Sequence, residues 1–177
     1  MQRDNRVLAP EEMGAPPEKL TRHGRANPAG IPYLYLASDR QTAVSEIRPH
    51  TGERVSLAEF HVQDAVRIVD LRRPRKSISP FLLARDDVKL NVGNISFLER
   101  LGEELTRPVL RQSAAIDYTP TQYLCEFIKE CGFDGVTYRS ALSDGVNLAL
   151  FRPDKAESGR IMSMQIEKVT VESFSIN

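Results

Sequence analysis

Two glycines and two prolines, Gly24, Pro28, Gly30 and Pro32, fall within nine residues near the start of the chain. Glycine opens backbone conformations closed to other residues, and proline fixes φ and removes an amide donor. The segment is therefore a loop, and its one cation is Arg25. The residues after the loop are as tightly constrained. Tyr33 to Ala37 (Tyr-Leu-Tyr-Leu-Ala) carries no charge and predicts a short buried strand. Asp39 stands where it can cap a helix running from about Arg40 to Arg48, which Pro49 stops. Ala43, Val44 and Ile47 give that helix an apolar face, with Glu46 beside it. One loop, one strand and one helix thus gather an Arg, a Tyr and a Glu. Such a group suits a ligand that carries both phosphates and a cationic ring. Tyr33 and Tyr35 share a parity, so either ring can belong to the group.

Further along, Thr51-Gly52-Glu53 reads as a turn into a strand around Val55 to Phe60, and Ala65 to Leu71 as a second, β-branched strand. A basic cluster follows at Arg72, Arg73, Arg75 and Lys76. It reads as a solvated loop or as a contact for an anion or a partner. Phe81 to Ala84 suits one helical turn. Asn94 or Ser96 is positioned to cap a helix with Phe97, Leu98, Leu101 and Leu105 on one face, closed by Pro108. Thr119 as N-cap and Pro120 at the first position open another helix. Its expected apolar stripe is Tyr123, Leu124, Phe127, Ile128 and Cys131, and Gly132 ends it. Val136 to Arg139 and Asn147 to Arg152 read as a β-hairpin. Residues 154–160 read as a linker to a C-terminal strand region, and residues 1–12 as an irregular N-terminal segment. Strands with three to four interspersed helices, lacking a βαβ rhythm, predict a single α+β domain over 1–177 with a mostly antiparallel, split sheet.

Several pieces together resemble the RES domain family, named for an Arg, a Glu and a Ser. They are Gly24-Arg25-Ala26-Asn27-Pro28, Tyr33-Leu34-Tyr35-Leu36-Ala37, Thr42-Ala43-Val44-Ser45-Glu46, Tyr118-Thr119-Pro120-Thr121-Gln122, Gly132 to Ser140, and Asn147 to Phe151. The resemblance runs from about residue 13 to 153. It implies an ADP-ribosyltransferase-like fold and an enzyme that consumes NAD⁺, as the toxin of a type II toxin–antitoxin pair. The family's Arg falls on Arg25, its Tyr on Tyr35, its Glu on Glu46 and its Ser on Ser140. The implied roles are catalysis by Glu46 and Arg25, and substrate binding by Arg25, Tyr35, Ser140 and Asn147. Arg48 is a supporting candidate, Ser143 is an alternative to Ser140, and either Arg3 or Arg6 can fill the family's more N-terminal basic position. The chemistry is coherent. Departing nicotinamide needs little acid help, whereas the oxocarbenium-like ribose needs a carboxylate beside it. An aromatic face stacks on the cationic ring, and a guanidinium forks onto phosphate oxygens.

The acceptor stays open between water (a glycohydrolase), phosphate (a phosphorylase) and a protein side chain (an ADP-ribosyltransferase). A catalytically silent nucleotide-binding or protein-interaction module is the reading from another class. NAD⁺ is the implied substrate, with no permanently bound cofactor; a cognate antitoxin is the implied partner, and a homodimer is compatible with the resemblance. With 24 basic and 24 acidic residues the net charge is zero, which offers no field for nucleic acid or an anionic membrane. No apolar run approaches the roughly 20 residues of a membrane span. The charged N-terminus does not read as a secretory signal, which favours the cytoplasm. Cys125 and Cys131 read as two reduced thiols, with Cys131 on the apolar face of the helix and Cys125 off it. The scattered His23, His50 and His61 suggest no metal site.

Overall fold

The computed structural model describes residues 8–9, 12–77, 85–109 and 113–170, with backbone alone for 77 and 85–93. Arg3, Arg6, Val171 and the expected helical turn at Phe81 to Ala84 lie outside the described residues. The architecture is α+β. Strands β1 (Leu34–Ala37), β2 (Arg54–Val62), β3 (Ile68–Asp70), β4 (Gly135–Arg139), β5 (Val146–Leu150) and β6 (Ala156–Gln165) form two open sheets. The larger sheet runs β1-β5-β4-β3, antiparallel except for the β3–β4 pair. The smaller pairs β2 with β6. Among the described residues, three helices exceed one turn: α1 (Arg40–Ile47), α3 (Arg85–Thr106) and α5 (Thr119–Glu130). Two single-turn helices, α2 (Pro74–Ser77) and α4 (Ala114–Asp117), sit between them. Among the described residues, no helix is long and apolar enough to cross a membrane.

The core lies between the large sheet and helices α3 and α5. Leu101 and Leu105 of α3, Cys125 and Ile128 of α5, and Val136 and Ala149 of the sheet are all buried there. Tyr33, just before β1, belongs to it too: its ring packs on Phe151 at 4.8 Å and its hydroxyl donates to Glu126. The two tyrosines of like parity therefore part company, since Tyr33 is 2% exposed and Tyr35 41%.

Three helices depart from their expected form. Helix α3 starts at Arg85, so Asn94 and Ser96 lie inside it and not at its N-terminus. Gly93 lies within it, at a cost of only about 1 kcal/mol. Phe97, expected inward, is exposed. Helix α5 follows α4 almost without a break, and Thr119 donates to the Ala115 carbonyl rather than capping. Its buried residues are Thr121, Gln122, Cys125 and Ile128, whereas Tyr123, Phe127 and Cys131 are exposed. The places of the two cysteines are thus the reverse of those expected. In α1 the most buried residue is Thr42, and Ile47 is exposed. The site explains both inversions, because it draws polar side chains inward. Elsewhere the changes are of length. Strand β3 is short because residues 64–65 turn and the Arg67 amide is taken by the Asp134 carboxylate. The linker shrinks to a 3-10 turn at Pro153–Lys155, since pairing with β2 makes 156–160 part of β6.

Candidate functional site

Helix α1 sets the first wall. Asp39 caps it as expected, accepting from the Thr42 amide at 2.9 Å and from the Thr42 hydroxyl at 2.7 Å. Those donors, the amide foremost, hold the Asp39 carboxyl below its ordinary range. Ser143 donates to the Thr42 hydroxyl at 2.9 Å and accepts from the Gly145 amide. The β4–β5 loop is in this way fastened to the start of α1, and Ser143 serves that fastening. One turn on from Thr42, Glu46 faces the sheet end. Its Oε1 accepts from Ser140 Oγ at 2.8 Å and from Asn147 Nδ2 at 2.6 Å. Ser140 closes β4, and Asn147 sits in β5 opposite both Ala37 and Tyr138. Both are nearly buried. Oε2 of Glu46 has no protein donor among the described residues.

The second wall is the punctuated loop. Tyr35, pointing from β1, donates to Asn27 Oδ1 at 2.7 Å and accepts from the Ala26 amide at 3.0 Å. Asn27 spends its amide group on the carbonyls of Arg22, Pro28 and Ile31. Burial pushes the Tyr35 pKa up, so its hydroxyl stays a donor. Gly24 lies so close to Asn27 Oδ1 and the Tyr35 hydroxyl that a side chain there would overlap both. The polar face of α5 grips the same loop from the other side: Thr121 donates to the Arg25 carbonyl at 2.6 Å and Gln122 to the Gly24 carbonyl at 2.8 Å.

Held in this way, Arg25 points its guanidinium at the end of α3. It donates to the Arg107 carbonyl at 2.7 Å and lies 5.4 Å from the ring centre of Tyr118. Arg25, Glu46, Arg48 and Tyr118 line one cavity of about 200 Å³. Arg48 enters it from the left-handed backbone turn (φ 48°) that ends α1. The structure thus brings together Arg25, Glu46, Ser140 and Asn147, with Arg48 beside them. Tyr35 stands behind the loop rather than on the cavity wall. The aromatic ring on that wall is Tyr118, which sequence reasoning missed as a site residue along with Asn27, Thr121 and Gln122. All four lie in the motif stretches, and an Asn in a loop of Gly and Pro is itself a signal for carbonyl bridging. Among the described residues, no group of three His, Cys, Asp or Glu side chains is placed to hold a metal ion.

An α+β domain that sets a carboxylate and a guanidinium in one small cavity at the end of its sheet is built for a polar, charged ligand. Its sequence specifies the class further. The chain belongs to the RES domain family, whose family model matches residues 3–172. That family is generally NAD-related and toxin-like. No curated protein matches the chain.

Proposed function

We propose that this protein cleaves the bond between nicotinamide and ribose in NAD⁺, transferring the ADP-ribosyl group to water or to phosphate. The single observation that supports this most is the state of Glu46. Two neutral donors hold one of its oxygens, and the other is left to the cavity it shares with Arg25. In the reaction the C–N bond breaks, its electron pair leaves with the neutral nicotinamide, and positive charge grows on the ribose. A preorganised carboxylate stabilises that charge as it develops. Water or phosphate then bonds to the anomeric carbon, and water loses a proton to solvent. Arg25 anchors the nicotinamide-side phosphate, the ring of Tyr118 on the cavity wall stacks on the nicotinamide, and Tyr35 holds the loop that carries Arg25. Ser140 and Asn147 keep Glu46 in place.

Such an activity drains NAD⁺ and makes the protein a toxin whose host needs a cognate antitoxin. The test is to incubate the protein with NAD⁺, with and without inorganic phosphate, and to follow products by NMR. Nicotinamide with ADP-ribose in both mixtures identifies hydrolysis. Nicotinamide with ADP-ribose 1″-phosphate, only when phosphate is added, identifies phosphorolysis. Absence of nicotinamide in both, together with label transfer to an added protein, would replace the proposal with protein ADP-ribosylation.

A further inference from the structure

The cavity of about 200 Å³ is smaller than the roughly 300–1,000 Å³ of sites that engulf a drug-sized ligand. A whole dinucleotide therefore extends beyond it. A second, larger hollow of about 1180 Å³ opens alongside, between the segment after β3 and the outer face of α3. Two residues join the spaces. Ser140 lines the hollow and donates to Glu46, and Arg107 lines it while its carbonyl holds Arg25. The lining carries seven cationic side chains against three glutamates, in a chain with no net charge. Most of those cations are already engaged. Arg72 forks onto Asp70, Arg75 onto Glu99, and Arg100 reaches Glu103 and Glu104. Arg73 and Lys76 are different. Both are exposed, three residues apart at α2, and neither makes a side-chain hydrogen bond or ion pair among the described residues.

We infer that this groove receives the adenosine-diphosphate half of the dinucleotide, with Arg73 and Lys76 meeting its adenosine-side phosphate. The inference rests on the proposed reaction for the identity of the dinucleotide. The recognising chemistry, cations for a phosphate oxyanion, is shared with free phosphate, but a groove of this size is far more than one phosphate needs. The basic cluster thereby gains a role that a solvated loop does not give it.

The test is the double variant Arg73→Ala/Lys76→Ala, whose positions are exposed and so leave the fold intact. Wild type and variant are compared in nicotinamide release from NAD⁺ and from nicotinamide mononucleotide, and in calorimetric titration with ADP and with inorganic phosphate. The expected result is a KM for NAD⁺ raised about fivefold to tenfold, as for loss of two exposed charge-assisted contacts. The kcat stays within about twofold, KM for the mononucleotide is unchanged, and ADP binding weakens in parallel with KM for NAD⁺. The charge-preserving pair Arg73→Lys/Lys76→Arg restores ADP binding. Unchanged KM for NAD⁺ with unchanged ADP affinity would overturn the inference. So would a variant that loses phosphate binding alone, which would make the groove an acceptor site. If wild type releases no nicotinamide, the proposed reaction fails, and the ADP titration decides the groove by itself: weakening in the variant upholds it, and no ADP binding to wild type ends it.

Discussion

Replacing Glu46 by Gln separates its charge from its place in the scaffold. Oε1 accepts from Ser140 at 2.8 Å and from Asn147 at 2.6 Å. A glutamine whose carbonyl oxygen takes that position keeps both bonds. Its amide nitrogen then stands where Oε2 stood, presenting a donor in place of an anion. The fold should not register the change, with Tm expected within about 2 °C of wild type, since surviving contacts leave well under 1 kcal/mol to lose. Turnover should fall by about 10³-fold, or roughly 4 kcal/mol of barrier, the scale for removing one preorganised charge-stabilising group. Glu46→Ala gives the contrasting pattern. It strands the Ser140 hydroxyl and the nearly buried Asn147 amide, at a cost of about 2 kcal/mol and a Tm lower by about 4–8 °C. The assay is nicotinamide release beside a calorimetric melt for each variant. Wild-type rates in a natively folded Glu46→Gln protein would refute the role of the carboxylate, and a melt as depressed as that of Glu46→Ala would refute the hydrogen-bond argument.

Thr121→Val removes the hydroxyl that bonds the Arg25 and Tyr118 carbonyls without changing side-chain shape; denaturant titration should show a loss of about 1 kcal/mol, and KM for NAD⁺ should rise more than kcat falls. Gly24→Ala drives a methyl into Asn27 and the Tyr35 hydroxyl, so a loss of about 1–3 kcal/mol and of nicotinamide release is expected. Burial pushes the Cys125 thiol up to about 12. The folded pKa lies above the unfolded value near 8.5, so this contribution to stability is complete below about pH 8.5 and is lost upward, at about 1.4 kcal/mol per pH unit. The unfolding free energy from urea titration should therefore fall between pH 8 and pH 10 by about 2 kcal/mol more in wild type than in Cys125→Ala. A thiol reagent should label the exposed Cys131 in the native protein and Cys125 only after unfolding.

Much of this arrangement was legible in the residues. The punctuated loop, the strand at Tyr33 to Ala37, the Asp39 cap and the hairpin around Ser143-Asp144-Gly145 all follow local rules of backbone chemistry, and the structure obeys them. Illegible were the inward faces of α1 and α5. Periodicity assigns the apolar residues of a helix to the interior, but Thr42, Glu46, Thr121 and Gln122 are drawn inward by partners distant in sequence: Ser143, Ser140 and Asn147 for α1, and the carbonyls of Gly24 and Arg25 for α5. Each such bond outweighs the weak preference of one exposed apolar side chain, because an unpaired buried donor costs about 1–3 kcal/mol. Hence Ile47, Tyr123 and Phe127 end up outside. The parity of Tyr33 and Tyr35 was equally uninformative, since Tyr33 lies just before β1 and is buried against Phe151 and Glu126, whereas Tyr35 within β1 is tied to Asn27 of the loop.

Two of the three charged side chains that line the cavity, Arg25 and Glu46, are held in a manner that distinguishes them from the charges around it. Arg72 and Arg75 are each matched by a carboxylate, so each pair is largely self-satisfied. Arg25 is oriented by a carbonyl oxygen and an aromatic face, and Glu46 by a hydroxyl and an amide, all four of them neutral. Among the described residues neither forms an ion pair. Neutral partners fix geometry without cancelling charge, so the field of each group remains available to a ligand. Its strength rises as the ligand excludes water, since a pair of unit charges 4 Å apart interacts about four times more strongly at an effective dielectric of 20 than in water. An Arg25–Glu46 salt bridge would instead have to be broken, with desolvation already spent, before either group met a substrate. The residues that prevent it are Arg107 and Tyr118 on one side and Ser140 and Asn147 on the other. Their part in the site is to keep two opposite charges close, fixed and apart.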